Sequence, residues 1–380
     1  MSIDLFFRQS KIKLRWLIVF VLINACVERI YFDVPSAQLQ MVVDGMVSDN
    51  PGPYTVKVSK GLSLEADTTA LEAFTNLKIK LFDDLGNEET FIEKNPGVYL
   101  TSGLITGVVG RSYHIRIETV DGRVFESSPE KISPSGEIEN IRHEFEARTS
   151  VKKFGEVNAD VFNVFVDSRA SENSEPYVRW RFKGTYKVVT YPELNYTSIQ
   201  GYSPFKDPYP CSGYYIGEGP PGSGGALVKF AECSCCTCYP NDVEQSPQLS
   251  DTQLIDSNEF KNVKVGEIAI NSSTFHEKYL IEVEQMSLSR KAYNFFRLVR
   301  EQKINSSSIF QPPSGELIGN MKAINSNDVV IGLFWATSIQ KKNKFIYPSD
   351  LPYPLTEIEF STKPCYSRYR NASTAKPDNW

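Results

Sequence analysis

The sequence predicts a mainly β protein: an N-terminal β-sandwich followed by a second β-rich domain with one docked helix and one long irregular insertion. Three observations predict it. Short runs of alternating apolar and polar residues recur at about ten-residue spacing, separated by Gly, Pro, Asn and Asp clusters. Only one stretch has the 3.6-residue apolar period of a helix. And four of the seven cysteines crowd into "CSCCTC" at 233–238, inside a Pro-, Gly- and Tyr-rich segment.

The chain has 380 residues, enough for two or three domains of ordinary size. Apolar residues make up 41%, enough to build sizeable cores. A formal charge of -5 gives no basic excess, which argues against nucleic acid as a partner. Aromatic residues at 12%, set in short β-branched runs, favour strands.

At the N-terminus, Arg8, Lys11, Lys13 and Arg15 face a single acid, Asp4. An uncharged apolar run of about eight residues follows, too short for the roughly 20 that span a bilayer as a helix. A basic region, a short apolar region and a small residue before a break describe a secretory signal peptide, here residues 1–25. The break, Ile23-Asn24-Ala25-Cys26, resembles the bacterial lipobox, which makes Cys26 the expected lipidation site and mature N-terminus. Two or more acyl chains give stable membrane attachment. The plainer alternative is a cysteine that merely ends a signal or anchor segment.

After a tether at 26–35, residues 36–130 read as hairpins. Leu39 to Val47 and Tyr54 to Ser59 flank the turn cluster "SDNPGP". Tyr54, Val56 and Val58 alternate with Thr55, Lys57 and Ser59, so one face is buried. "DDLGN", "NPG" and Asp121-Gly122 mark further turns. Such strands imply an N-terminal sandwich of the immunoglobulin/transthyretin-like kind, expected to fold on its own.

Ser, Pro and Gly collect near 130, the expected boundary of a second β-rich domain at 131–380. There Tyr177, Arg179, Arg181 and Lys183 alternate with Val178, Trp180 and Phe182. Residues 191–250 form the insertion; structureless stretches this long are usually functional or tied down. In "SLSRKAYNFFRLVREQK", Leu288, Ala292, Phe295, Phe296 and Val299 make one apolar helical stripe, docked on a sheet and capped by Ser287 or Ser289.

With Cys26 lipidated, six cysteines remain: Cys211, Cys233, Cys235, Cys236, Cys238 and Cys365. An even number in an exported chain favours disulfides. Cys233-x-x-Cys236 and Cys235-x-x-Cys238 also have zinc-ligand spacing, and CxxC can be a redox motif, though no βαβ unit surrounds it. The disulfide reading has Cys211 and Cys365 each reach into the cluster, with a bridge such as Cys211 to Cys233. It disfavours an adjacent Cys235–Cys236 pair, which would strain the peptide between them.

Catalytic signals are sparse. His114 sits inside a strand, and His143 and His276 have no partner in a recognisable arrangement. No HExxH, GxSxG or P-loop occurs. The acids at 83–84 and 87–89 read as a solvated hairpin tip, and "GEGPPGSGG" at 217–225 as a flexible loop. No catalytic residue, metal ligand or cofactor is expected.

The stretches "MVVDGMVSDNPGPYTVKVSKG", "NPGVYLT", "GVVGRSYHIRIETVDGRVFESSPE", "SLSRKAYNFFRLV", "IFQPPSGELIGNMKAIN" and "VIGLFWATS" together resemble one family. It is the Bacteroidota lipoproteins that carry domain of unknown function 4249, and the likeness runs over about residues 36–350. The resemblance implies an exported, lipid-anchored protein of the outer membrane that works beside a TonB-dependent β-barrel receptor. It implies no catalytic residues. The expected role is therefore non-enzymatic ligand capture or uptake at the cell surface, with the periplasmic face as the alternative placement. An assembly subunit of a barrel complex is the second reading, and a peptide or glycan hydrolase the third.

Overall fold

The computed structural model describes residues 40–61, 72–152, 155–172, 174–200, 203–219, 224–250, 258–305, 317, 319–355, 361–369 and 372–380. The expected signal peptide, Cys26 and the tether lie outside these residues. The protein is mainly β, as its turn and alternation signals predict.

The first sandwich has two sheets. In one, Gln40–Ser48 pairs antiparallel with Thr55–Lys60, and Val98–Leu100 and Ile92–Asn95 follow. The other runs through Val124–Ser127, Ser112–Glu118, Lys78–Asp83 and Glu88–Thr90. The alternation holds: Tyr54, Val56 and Val58 are buried, and they meet Ile79, Leu81, Ile115, Ile117 and Phe125 in one core. The "NPG" turn requires glycine. Gly97 has φ +72°, and a Cβ there would lie 2.6 Å from the Val58 carbonyl oxygen.

The hairpins of 40–131 do not complete this sandwich alone. Val329–Thr337 lies parallel to Gln40–Ser48 along its whole length, from Gln40↔Val329 to Ser48↔Thr337. Met321–Ala323 pairs with Val124–Ser127 on the opposite sheet. Met321, Phe334 and Ala336 fill the same core. The chain thus leaves the first sandwich near residue 131, builds most of the second, and returns. Leu39 to Trp380 accordingly forms one compact unit.

The second sandwich packs Glu137–Glu146, Val161–Arg169 and Glu259–Ala269 against a sheet of Asn241–Val243, Val178–Tyr186, Tyr279–Ser287 and Ile339–Ile346. Val178, Trp180 and Phe182 are buried as their alternation predicts, while Arg181 and Lys183 face outward to Glu284 and Glu282. Trp180 Nε1 donates to Gln285 Oε1 at 3.1 Å. Gln285 Nε2 in turn donates to the carbonyls of Ser135 and Arg169, so this fully buried amide has partners at both ends.

Ser338 alone separates Val329–Thr337 from Ile339–Ile346, so one nearly continuous strand runs through both sandwiches. Asp49 fixes the crossing point: it accepts from the Ile339 amide at 2.9 Å and from the Ser338 hydroxyl. Ser287 donates to the Ser133 carbonyl across the same joint. The Arg290–Asn305 helix covers it. Ser289 is the cap, its hydroxyl accepting from the Ala292 amide at 3.1 Å. Leu288, Ala292, Tyr293 and Phe296 pack on Leu333 and Trp335 of the first sandwich and on Met286 and Ile339 of the second. The helix therefore seals two domains together rather than docking on one sheet.

The acids of the run at 87–89, Glu88 and Glu89, are not uniformly a solvated tip. Glu88 is exposed, but Glu89 is buried and accepts from the Ser102 hydroxyl and from the amides of Gly103, Leu104 and Ile105 at 2.7–3.1 Å. Burial opposes its charge, but these hydrogen bonds outweigh it and hold the carboxyl below the usual carboxylate range. A depressed folded pKa gives stability that is present above the unfolded value and lost as pH falls through the folded one. Glu89→Gln should therefore cost about 1–3 kcal/mol at pH 7. Urea unfolding should show the gap from the parent narrowing below about pH 4.

Candidate functional site

Three long strands of the second sandwich, Val178–Tyr186, Tyr279–Ser287 and Ile339–Ile346, run between the joint and the far end. Val178 pairs with Ser287 and Ile339 with Met286 beside it; at the far end Tyr186, Tyr279 and Ile346 stand in line. The chain enters the insertion just beyond Tyr186. The insertion therefore stands at the pole opposite the first sandwich.

Its cysteines form three disulfides: Cys211–Cys235, Cys233–Cys236 and Cys238–Cys365. Cys211 and Cys365 both reach into the cluster, but Cys211 joins Cys235 rather than Cys233. The reason is local. The Ser234 amide donates to the Cys211 carbonyl at 2.9 Å, which sets Cys211 beside this turn, while Cys233 closes a tight loop on Cys236. Adjacent Cys235 and Cys236 bond to different partners. A sulfur held in a disulfide offers no thiolate to zinc. Cys238 and Cys365 are fully buried and belong to the core of the second sandwich, so this bridge roots the insertion in the body. The Cys365 amide donates to the Cys235 carbonyl at 3.0 Å, and Tyr239 bridges to Ser373.

Two small hairpins rise from this base, Tyr196–Thr197 with Phe205–Lys206 and Tyr214–Gly217 with Ala226–Lys229. They bury little. Tyr196, Ile199, Phe205, Tyr215 and Phe230 are all exposed, Phe230 by 64%. Tyr215 and Phe230 share a face, their ring centroids 6.0 Å apart. Exposed aromatics held on a covalently fixed frame form a contact surface at little ordering cost, since each ring has only two side-chain torsions to lose.

The histidines do not converge. His114 stacks on Phe82 in the first sandwich at 5.0 Å, and burial pushes its pKa down. His143 lies in the second, edge-on to Phe162 and 3.8 Å from Asp350 Oδ2; burial, then the Lys344 charge, lower its pKa. His276 is exposed. Of "GEGPPGSGG", residues 220–223 lie outside the described residues.

A groove missed at the level of sequence opens at the base of the insertion. It lies between the edge segments 241–248 and 264–269 of the two sheets, with Phe182 in its wall and a volume of about 530 Å³. Asp242 faces it. The buried Tyr279 hydroxyl donates to Asp242 Oδ2 at 2.8 Å. Gly184 makes room for this, because a Cβ there would lie 1.7 Å from the Tyr279 oxygen. In sequence "YPND" looks like a turn, and nothing local links it to a tyrosine near 280. Among the described residues no His/Cys/Asp/Glu cluster has the arrangement of a metal site. No helix among them is long and apolar enough to cross a membrane.

The family model described as Domain of unknown function (DUF4249) matches residues 27–343. The match takes in both passes of the first sandwich and the whole insertion, and ends before Cys365. No curated protein matches the chain.

Proposed function

The chain belongs to the DUF4249 family, and from that premise we propose that it is a non-enzymatic cell-envelope lipoprotein of the Bacteroidota type. Cys26 carries the lipid and anchors the protein in the outer membrane, at the cell surface. It works with an outer-membrane β-barrel of the TonB-dependent type, capturing a ligand or assisting its uptake. The observation that carries this reading is the insertion: exposed aromatic side chains on two hairpins, rooted by disulfides in the core at the pole away from the first sandwich. A contact surface built this way supports capture. The basic, apolar, small-residue order ending at Cys26 supports the anchor.

Mass spectrometry of the mature N-terminal peptide should find acyl mass on Cys26, and Cys26→Ser should release the protein from membranes. Purification in gentle detergent should then bring down a barrel with the parent chain. An unmodified Cys26, or the absence of any barrel, would sink the proposal. The double variant Tyr215→Ser/Phe230→Ser separates the two roles. Retained barrel association assigns the aromatics to ligand capture; lost association makes the insertion the barrel contact and favours an assembly subunit.

A further inference from the structure

We propose that the groove beside Asp242 is a binding site for an organic monocation, an ammonium or guanidinium group. This site stands apart from the membrane role and would hold even if that role failed. The charges that line the groove are unequally paired. Glu244 is paired with Arg179. Glu267 is engaged by Arg148 at 2.9 Å and Lys264 at 3.0 Å. Asp242 receives only the neutral Tyr279 hydroxyl, and among the described residues no cation pairs with it. The groove therefore carries one uncompensated carboxylate.

A purely structural role explains this poorly. A buried tyrosine hydroxyl needs an acceptor, but a backbone carbonyl or an asparagine would serve without the cost of a charge withdrawn from water. Burial indeed pushes the Asp242 carboxyl up, against the pull of the Tyr279 hydrogen bond. The fold nonetheless reserves space for this contact at Gly184 and sets Tyr279 between Tyr186 and Phe275 in parallel stacks. A cation from solution would relieve the cost and complete the pair. One free carboxylate suits a single positive charge, whereas calcium seeks about six to eight oxygen ligands. Val243 and Ala269, both exposed, offer apolar surface for an alkyl stem. Asn241, Gln245, Ser246 and Gln248 supply neutral hydrogen-bonding groups at the rim.

The test is calorimetric titration of the full chain in detergent micelles. The probes are n-butylammonium, n-butylguanidinium and the capped tripeptide Ala-Arg-Ala, with n-butanol as the neutral control. The cations should bind saturably and the alcohol should not. Similar affinities for the free cations and the peptide would mean that the charged group alone is read. A peptide about tenfold tighter would identify a basic side chain on an extended segment as the natural source. Asp242→Asn keeps an acceptor for Tyr279 and should weaken binding by about tenfold or more. Should that variant melt early, Ser246→Lys leaves Asp242 in place, adds a positive charge to the groove lining, and should weaken binding of the cations but not shift the alcohol. No saturable heat from any cation, unchanged affinity in a folded variant, or displacement of the probe by equimolar calcium would overturn the site.

Discussion

Residues 36–130 expressed alone will show no cooperative unfolding transition, although their hairpins and alternating faces look self-sufficient. The reason is the returning strand. Removing 321–337 strips Phe334 and Met321 from the core, about 4–5 kcal/mol of burial. It also removes the ladder along the nine residues of Gln40–Ser48, at a net of about 0.5–1.5 kcal/mol per hydrogen bond. The loss is about 10 kcal/mol, comparable to the whole stability of an ordinary domain. Gln40–Ser48 would become an open, apolar edge that invites aggregation. The remedy follows from the register. The Ser128 amide donates to the Asn320 carbonyl at 2.8 Å, so a short Gly/Ser linker can join 131 to 317. The fusion of 36–131 with 317–340 should melt cooperatively with a β-type circular dichroism spectrum. Cooperative unfolding of 36–130 without the returning segment would refute the account.

Loss of the Cys238–Cys365 bridge will destabilise the body far more than loss of Cys233–Cys236. The two span separations of 127 and 3 residues. On the chain-entropy argument the long bridge contributes about 5 kcal/mol and the short one about 1–2 kcal/mol. Burial widens the gap, since Cys238 and Cys365 are packed in the core and truncation leaves a cavity there. Cys238→Ala/Cys365→Ala and Cys233→Ala/Cys236→Ala should be compared by urea unfolding. Thiol counting under denaturing, non-reducing conditions should confirm that the remaining cysteines of the six are unreactive. Equal midpoints in the two variants would show that the long bridge does not root the insertion.

Local patterns were legible in the sequence, and long-range pairings were not. Tyr54, Val56 and Val58 announce their buried face because alternation is a property of neighbours. The helix stripe and its Ser289 cap are equally local. The parallel pairing of 40–48 with 329–337 leaves no turn between its strands to read. Its trace is the unbroken apolar run "VVIGLFWA", in which Phe334 and Ala336 face the core while Leu333 and Trp335 lie under the helix. Such a run marks a strand covered on both faces. The same limit applied to the cysteines. A bridge from Cys365 into the cluster is favoured by the need to pin a long insertion to the body, but whether Cys211 meets Cys233 or Cys235 turns on the Ser234 amide. Asp242 and Tyr279 were illegible for the same reason. The glycine that lets them meet sits on a third strand.

The strand that passes through both sandwiches has a mechanical consequence. The body is entered at Gln40, and Val329–Thr337 runs parallel beside that first strand before continuing toward the far pole. A pull between residue 40 and the insertion drags these neighbours in opposite directions along their common axis. Their rungs are then loaded in shear and must yield together. A hairpin such as Ile92–Asn95 with Val98–Leu100, pulled from its open end, would instead unzip one rung at a time. Resistance to force is set by the barrier to rupture rather than by equilibrium stability. A chain held on its N-terminal side and gripped at its far end would transmit tension through its stiffest seam.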